Sequence, residues 1–305
     1  MPSAVPASVP DVSPLSLPVV AGTGPEPSRA AVLSSLRASI ARLEKPRLVP
    51  STVGTGERAA DVSQAWTLGD PCVDALLGPS GLDFAALHEI RPVQADGREA
   101  AAAAVGRAGA LAFALRLAAR RRVAMAHAGP AASQGRRGPV PAAILVCLSA
   151  REHLEIGRIH ASGLAALGLD TSCLLIAETA RQSETLWAME EALNSAAVGL
   201  VVGCLEDLPL TPARRLALAA EQHAVPCLAV TAARAPAAGA TASRWRIGPA
   251  PAAAHPLDAH APGMARCEAR LERLRRPAGR AAGCGDLTSF VLEWCDEALR
   301  FRLAA

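Results

Sequence analysis

The residues with the most chemical promise lie between Trp66 and Ala104. The spacing there predicts a short helix from Pro71 to Leu77, a turn at Gly78-Pro79-Ser80-Gly81 and a strand from Ala85 to Arg91. A loop from Pro92 to Gly97 then runs into a long helix. A strand, a loop and a helix N-terminus in that order can cradle phosphate, because the helix start offers free N–H groups and the positive end of its dipole. A phosphate loop of the G-x-x-x-x-G-K-[ST] kind also needs a lysine for the phosphates and a hydroxyl for Mg²⁺. Here Gly97 keeps the glycine, Arg98 stands at the lysine position and Glu99 at the hydroxyl position. The single lysine of the chain, Lys45, falls in a linker. Gly97, Arg98 and Glu99 therefore read as a degenerate, inactive nucleotide loop. No cofactor is expected, with ATP held by backbone N–H groups and Arg98 left as an open alternative.

Hydrolysis would further need a carboxylate at the end of a core strand to support Mg²⁺. The strand Val198 to Gly203 ends in glycine, and Glu206 and Asp207 beyond it read as loop carboxylates. The strand ending at Leu148-Ser149 offers no carboxylate, and the next acid, Glu152, belongs to the following helix. No catalytic residue is assigned. His153 and His160 are seven apart on one expected helix but no cysteine or histidine joins them at ligand spacing, so no metal is assigned either. The eight cysteines include no C-x-x-C pair and read as reduced core residues. His88-Glu89, inside a core strand, reads as packed or hydrogen-bonded rather than catalytic. There is no G-x-S-x-G elbow.

Two surfaces could bind macromolecules. Arg266, Arg270, Arg273, Arg275 and Arg276 form a basic C-terminal segment suited to phosphates, diluted by Glu268 and Glu272 and without interleaved aromatics to stack bases. An ordinary solvated face is the competing reading. Trp187 and Met189 on one helix, with Trp245 and Trp294 further on, are candidate partner contacts, because tryptophan is common in interface hot spots. The alternative is that they anchor the core.

The elements that must position these groups follow from periodicity. Residues 1–27 are rich in Pro, Ser and Val without period and read as a disordered tail. Residues 28–45 read as an N-terminal helix with Val32, Leu33, Leu36, Ile40 and Leu43 on one stripe, and 46–63 as a linker. Residues 64–250 alternate amphipathic helices (99–122, 150–167, 183–194, 212–223) with unbroken apolar strands (142–148, 172–177, 198–203, 226–231). That pattern predicts an α/β fold, a mainly parallel sheet covered by helices on both faces. Residues 251–305 read as a small C-terminal strand region that binds partners. Within it, Arg266 to Leu274 alternates and then slips phase as a bulge would make it do, and Leu287 to Leu299 is a last strand or helix.

The chain has 305 residues, long enough for a sizeable core, with a formal net charge of +3. Arginine almost entirely replaces lysine and alanine is in excess, a pattern of coding bias. The N-terminus has no basic leader and no apolar run reads as a membrane span, so the chain is expected in the cytoplasm, away from membranes.

The opening segment W-T-L-G-x-P-x-x-D-A-L-L, followed by G-L-x-x-x-x-L-H-E-I, resembles the RecA superfamily, as does Gly163 to Leu175. Glu184-x-Leu186-Trp187-Ala-Met-Glu-Glu-Ala-Leu193 and the terminal Leu-Glu-Trp-Cys-Asp resemble, more narrowly, the ImuA family of RecA/SulA-like proteins. The resemblance implies a RecA-like core over residues 64–250 and a role in SOS-induced, error-prone translesion DNA synthesis. It implies as partners a Y-family-like polymerase homologue (ImuB-like), an error-prone replicative-type polymerase, RecA itself and DNA. The superfamily's phosphate loop falls on Arg91 to Glu99, its strand-end Asp on Gly203 and its catalytic Glu near Arg151, all departures from the catalytic pattern. A non-catalytic accessory role therefore carries over. The alternatives are a DNA-stimulated ATPase with an unusual loop and a SulA-like inhibitor of cell division.

Overall fold

The structure, a computed structural model, describes residues 65–94, 100–127, 143–195, 197–255, 257–258, 260–261, 263–275 and 289–304. The expected tail, N-terminal helix and linker lie outside these residues, as do Gly97, Arg98, Glu99 and Arg276. The described residues fall within one compact unit, Ala59–Ala305.

Helix α1 (Pro71–Leu77) forms where expected: Asp70 caps it by accepting from the N–H groups of Cys72 and Val73, and proline occupies its first turn. Strand β1 (Leu87–Pro92) follows, then helix α2 (Ala100–His127). Alanine's high helix propensity carries α2 several residues past the expected end at 122. Strand β2 (Ile144–Ser149) leads into α3 (Ala150–Ile156) and α4 (Ala161–Ala166). One continuous helix over 150–167 was expected. Gly157 breaks it, adopting a φ of 82° that side chains rarely take. His153 and His160 thus do not share a helix.

Strand β3 (Leu174–Thr179), helix α5 (Gln182–Ser195), strand β4 (Leu200–Cys204), helix α6 (Leu210–His223) and strand β5 (Cys227–Val230) complete the alternating part. Strands β6 (Ser243–Ala250), β7 (Arg266–Leu274), β8 (Ser289–Cys295) and β9 (Arg300–Leu303) follow.

All nine strands form one sheet, in the order β3-β2-β4-β5-β1-β6-β7-β8-β9. Pairing is parallel from β3 through to β6 and antiparallel beyond. The α/β expectation with a mainly parallel sheet therefore holds. The strands after residue 250 extend that same sheet, and Glu272 is the extra residue of a bulge where Arg244 pairs with Arg273 but Trp245 with Leu271.

Two hydrophobic layers cover the sheet. On one face Phe113 and Leu117 of α2 and Leu164 of α4 pack on Ile90, Val146 and Trp245. On the other, Met189 and Leu193 of α5 and Leu216 and Ala220 of α6 pack on Cys147, Val201 and Ala229. By length and composition alone α2 could cross a membrane, yet Ala110, Phe113, Ala114 and Leu117 are fully buried against the sheet.

Candidate functional site

In open α/β sheets, ligands bind outside the carboxyl ends of the strands where neighbouring connections leave in opposite directions. The connection from β1 runs through α2 to β2, whereas that from neighbouring β5 runs the other way to β6, so such a crevice opens at the end of β1. A second lies between β2 and β4.

At the first crevice the side chains of β1 are committed to the fold. Glu89 is fully buried and accepts from Thr231 Oγ1 at 3.1 Å, the Ala238 N–H at 3.3 Å and Arg244 Nε at 2.7 Å. Arg91 donates to the carbonyls of Ala233 and Ala235. These contacts hold the chain between β5 and β6 against the sheet. His88, on the opposite face, meets Ser243 Oγ through Nδ1 at 2.8 Å and the Asp83 carbonyl through Nε2 at 2.7 Å. A carbonyl only accepts, so Nε2 carries the proton and Nδ1 accepts from the serine. Burial holds the His88 pKa below its ordinary value. The expectation that His88 and Glu89 are packed, hydrogen-bonded residues holds, although they bond separately, on opposite faces.

At the second crevice, Gly203 faces Met189. A Cβ built on Gly203 would fall inside van der Waals contact of the Met189 Sδ and Cε atoms. The strand-end position is thus filled by a thioether, which is no ligand for a hard cation. Beside it, Arg107 of α2 donates from Nη2 to Glu152 Oε1 at 2.5 Å and to the Leu205 carbonyl at 2.6 Å. Both side chains are almost completely enclosed. Arg107 Nε and Glu152 Oε2 have no hydrogen-bond partner among the described residues. Burial raises the Glu152 pKa, with the Arg107 charge opposing it. Nothing local in the sequence signalled this pair: the residues are 45 apart, one inside an alanine run.

The loop after β4 is tied down as well. Gln182 accepts from the Glu206 N–H at 2.6 Å and donates to Asp207 Oδ1 at 2.6 Å, and Arg151 reaches Glu206 at 2.8 Å. Both loop carboxylates are therefore engaged. Among the described residues, no group of three His, Cys, Asp or Glu could hold a metal ion.

The four candidate partner residues separate. Trp187 is 65% exposed, while Met189, Trp245 and Trp294 are buried. Met189 sits under α5, Trp245 packs on Phe113, and Trp294 packs on Phe301. Burial corrects the partner reading of these three: in the folded chain they serve the core, and a partner could reach only Trp187. Of the candidate DNA arginines, Arg266 is paired with Glu293 at 2.9 Å and Arg273 donates to the Gly239 carbonyl at 3.0 Å. Arg270 and Arg275 are exposed. Strand β7 spreads these arginines along its length rather than gathering them.

Protein ImuA from two strains of Caulobacter vibrioides is 35% identical to this chain over 135 residues, which cover 40% of this chain and 54% of that protein. The chain thus spans about half the length of the curated relatives it matches. This similarity bears out the ImuA resemblance drawn from the sequence. No family model matches the chain.

Proposed function

We propose that this chain is a non-catalytic accessory protein of SOS-induced, error-prone translesion DNA synthesis in the cytoplasm, built on a RecA-like core. It bridges a Y-family-like polymerase homologue of the ImuB kind and an error-prone replicative-type polymerase, with RecA and DNA as further contacts. The observation that carries this reading is the 35% identity to Protein ImuA over 135 residues. Family-level likeness to ImuA places the expectation in damage-induced mutagenesis. The parallel sheet, with strand β1 followed in chain order by the long helix α2, supports the RecA-like part.

The second crevice supports the non-catalytic part. A nucleotide–Mg²⁺ complex needs oxygen ligands at a strand end. The residues present do not fit it: the strand-end position is a glycine backed by Met189, and the nearest enclosed carboxylate, Glu152, already holds the Arg107 guanidinium. Trp187, large, apolar and projecting from α5, is the residue expected to meet a partner.

The test has two arms. The purified chain with ATP and Mg²⁺, with and without single-stranded DNA, should show turnover at background. DNA-stimulated turnover lost in Arg98→Ala would replace the accessory reading with a motor. Co-purification with the polymerase homologue should weaken in Trp187→Glu at unchanged stability, and undiminished capture would remove Trp187 from the interface.

A further inference from the structure

A cavity of about 780 Å³ opens at the amino ends of the parallel strands, the edge of the sheet opposite the crevice at the end of β1. Its walls come from four separate elements. Helix α6 presents Arg214, Ala217, Leu218 and Glu221, which at i, i+3, i+4 and i+7 share one face. The segment before β1 contributes Phe84, the segment before β6 contributes Gly239 to Ala242, and the end of β7 with the residue after it contributes Arg273 and Arg275. The volume lies within the range of about 300–1,000 Å³ typical of ligand pockets.

Two properties of this groove point to its ligand. Phe84 and Leu218 are 40% and 64% exposed, so an aromatic ring and an aliphatic side chain line it without being buried by the chain itself. The Arg121 guanidinium lies 5.1 Å from the centroid of the Phe84 ring and backs it. Arg214 and Arg275 make no ion pair among the described residues. They approach the groove from α6 and from β7. Arg273, which bonds the Gly239 carbonyl, adds a third positive charge, against the carboxylates of Glu221 and Asp83. Asp83 is already engaged by the Ala85 N–H at 3.0 Å. Guanidinium forks suit phosphate oxygens, and an aromatic face beside them suits a base, the pairing that single-stranded nucleic acid requires. Phe84 is far from the C-terminal arginines in sequence, and the fold supplies the aromatic that the arginine segment lacks.

We infer that this groove binds single-stranded nucleic acid, with a base on Phe84 and backbone phosphates on Arg214, Arg273 and Arg275. This deepens the accessory reading and rests on it for its biological setting, since a lesion-bypass factor would work beside exposed single strands. An acidic peptide is the competing occupant. It would use the arginines but has no need of an aromatic platform.

The experiment is a fluorescence-anisotropy titration of the full chain with labelled oligothymidylate of about 15 nucleotides, at about 50 and 200 mM salt. The expected result is binding that weakens steeply with salt. Phe84→Ala should weaken it about fivefold or more. Arg214→Gln and Arg275→Gln should each reduce the slope of log affinity against log salt by about 0.7. These side chains are exposed, and unchanged thermal unfolding confirms that each variant folds. Absent binding at low salt overturns the inference, and so does binding that all three variants leave untouched. Polyglutamate that competes fully, with Phe84→Ala indifferent, assigns the groove to an acidic partner and also overturns it. The accessory reading is read separately: DNA-stimulated ATP turnover lost in Arg98→Ala would sink it while oligonucleotide binding to the groove stood, and absent oligonucleotide binding would sink the groove while background turnover left the accessory reading in place.

Discussion

The sulfur of Met189 occupies the volume that a side chain on Gly203 would need. The two residues belong to α5 and β4, and each explains the other: a glycine at the strand end lets the helix settle onto the sheet, and the flexible thioether fills the space left. Gly203→Ala should therefore destabilise the chain by about 1–3 kcal/mol, the usual range for overpacking a tight core. In a Met189→Ala background the same substitution should cost much less. A double-mutant cycle in urea checks this, and additive effects would show that the two positions do not compete for space.

Arg107 and Glu152 provide a second cycle. Removing one member strands the other in the interior, so Glu152→Ala should cost about 3–5 kcal/mol. Replacing both by methionine should recover most of the loss, because an apolar pair has no desolvation penalty. Equilibrium unfolding of the two single variants and the double reads it out. An Arg107→Met/Glu152→Met chain no more stable than the single variants would contradict the pairing.

His88 makes stability depend on pH. Its folded pKa lies below the ordinary 6.5, because burial disfavours the charged ring. The unfolded chain takes up the proton first as pH falls, so the stabilisation is fully present above about 6.5 and declines as pH drops towards the folded pKa. Unfolding free energy measured between pH 5.5 and 8 should fall on the acid side, and His88→Gln should flatten part of that slope. Identical pH profiles for the two chains would remove His88 as the cause.

The tryptophans give opposite predictions for one substitution. Trp187→Ala should change stability by no more than about 0.5 kcal/mol, as exposed positions do. Trp245→Ala, which removes a fully buried indole, should cost about 3–5 kcal/mol. Thermal unfolding of both variants settles whether α5 carries its indole on the surface.

The strands of the parallel half were legible because burial on both faces demands unbroken apolar runs, and β2, β4 and β5 obey it. Helix α5 also held a readable signal that grouping by residue type missed. Thr185, Met189 and Leu193, four apart, form its buried stripe, which puts Trp187 two positions off and on the far side. Treating Trp187 and Met189 as one contact ignored that rotation. The break at Gly157 was less legible, since a glycine inside a helical pattern is often tolerated. Arg107 with Glu152, and Phe84 with Arg275, could not be read at all, because only the crossing of distant elements brings them together.

Three cysteines are buried in neighbouring strands of the sheet, Cys147 on β2 and Cys227 on β5 under one helical layer and Cys204 on β4 under the other. Burial pushes the thiols of Cys147 and Cys204 up to about 12 and that of Cys227 higher still. A thiol reacts as its thiolate, so all three are silent towards alkylating reagents while the sheet is closed. Cys72, on α1, lies at the surface instead. The sheet thus carries its own clock: the rate at which these three thiols are captured times the opening of the strands that bury them.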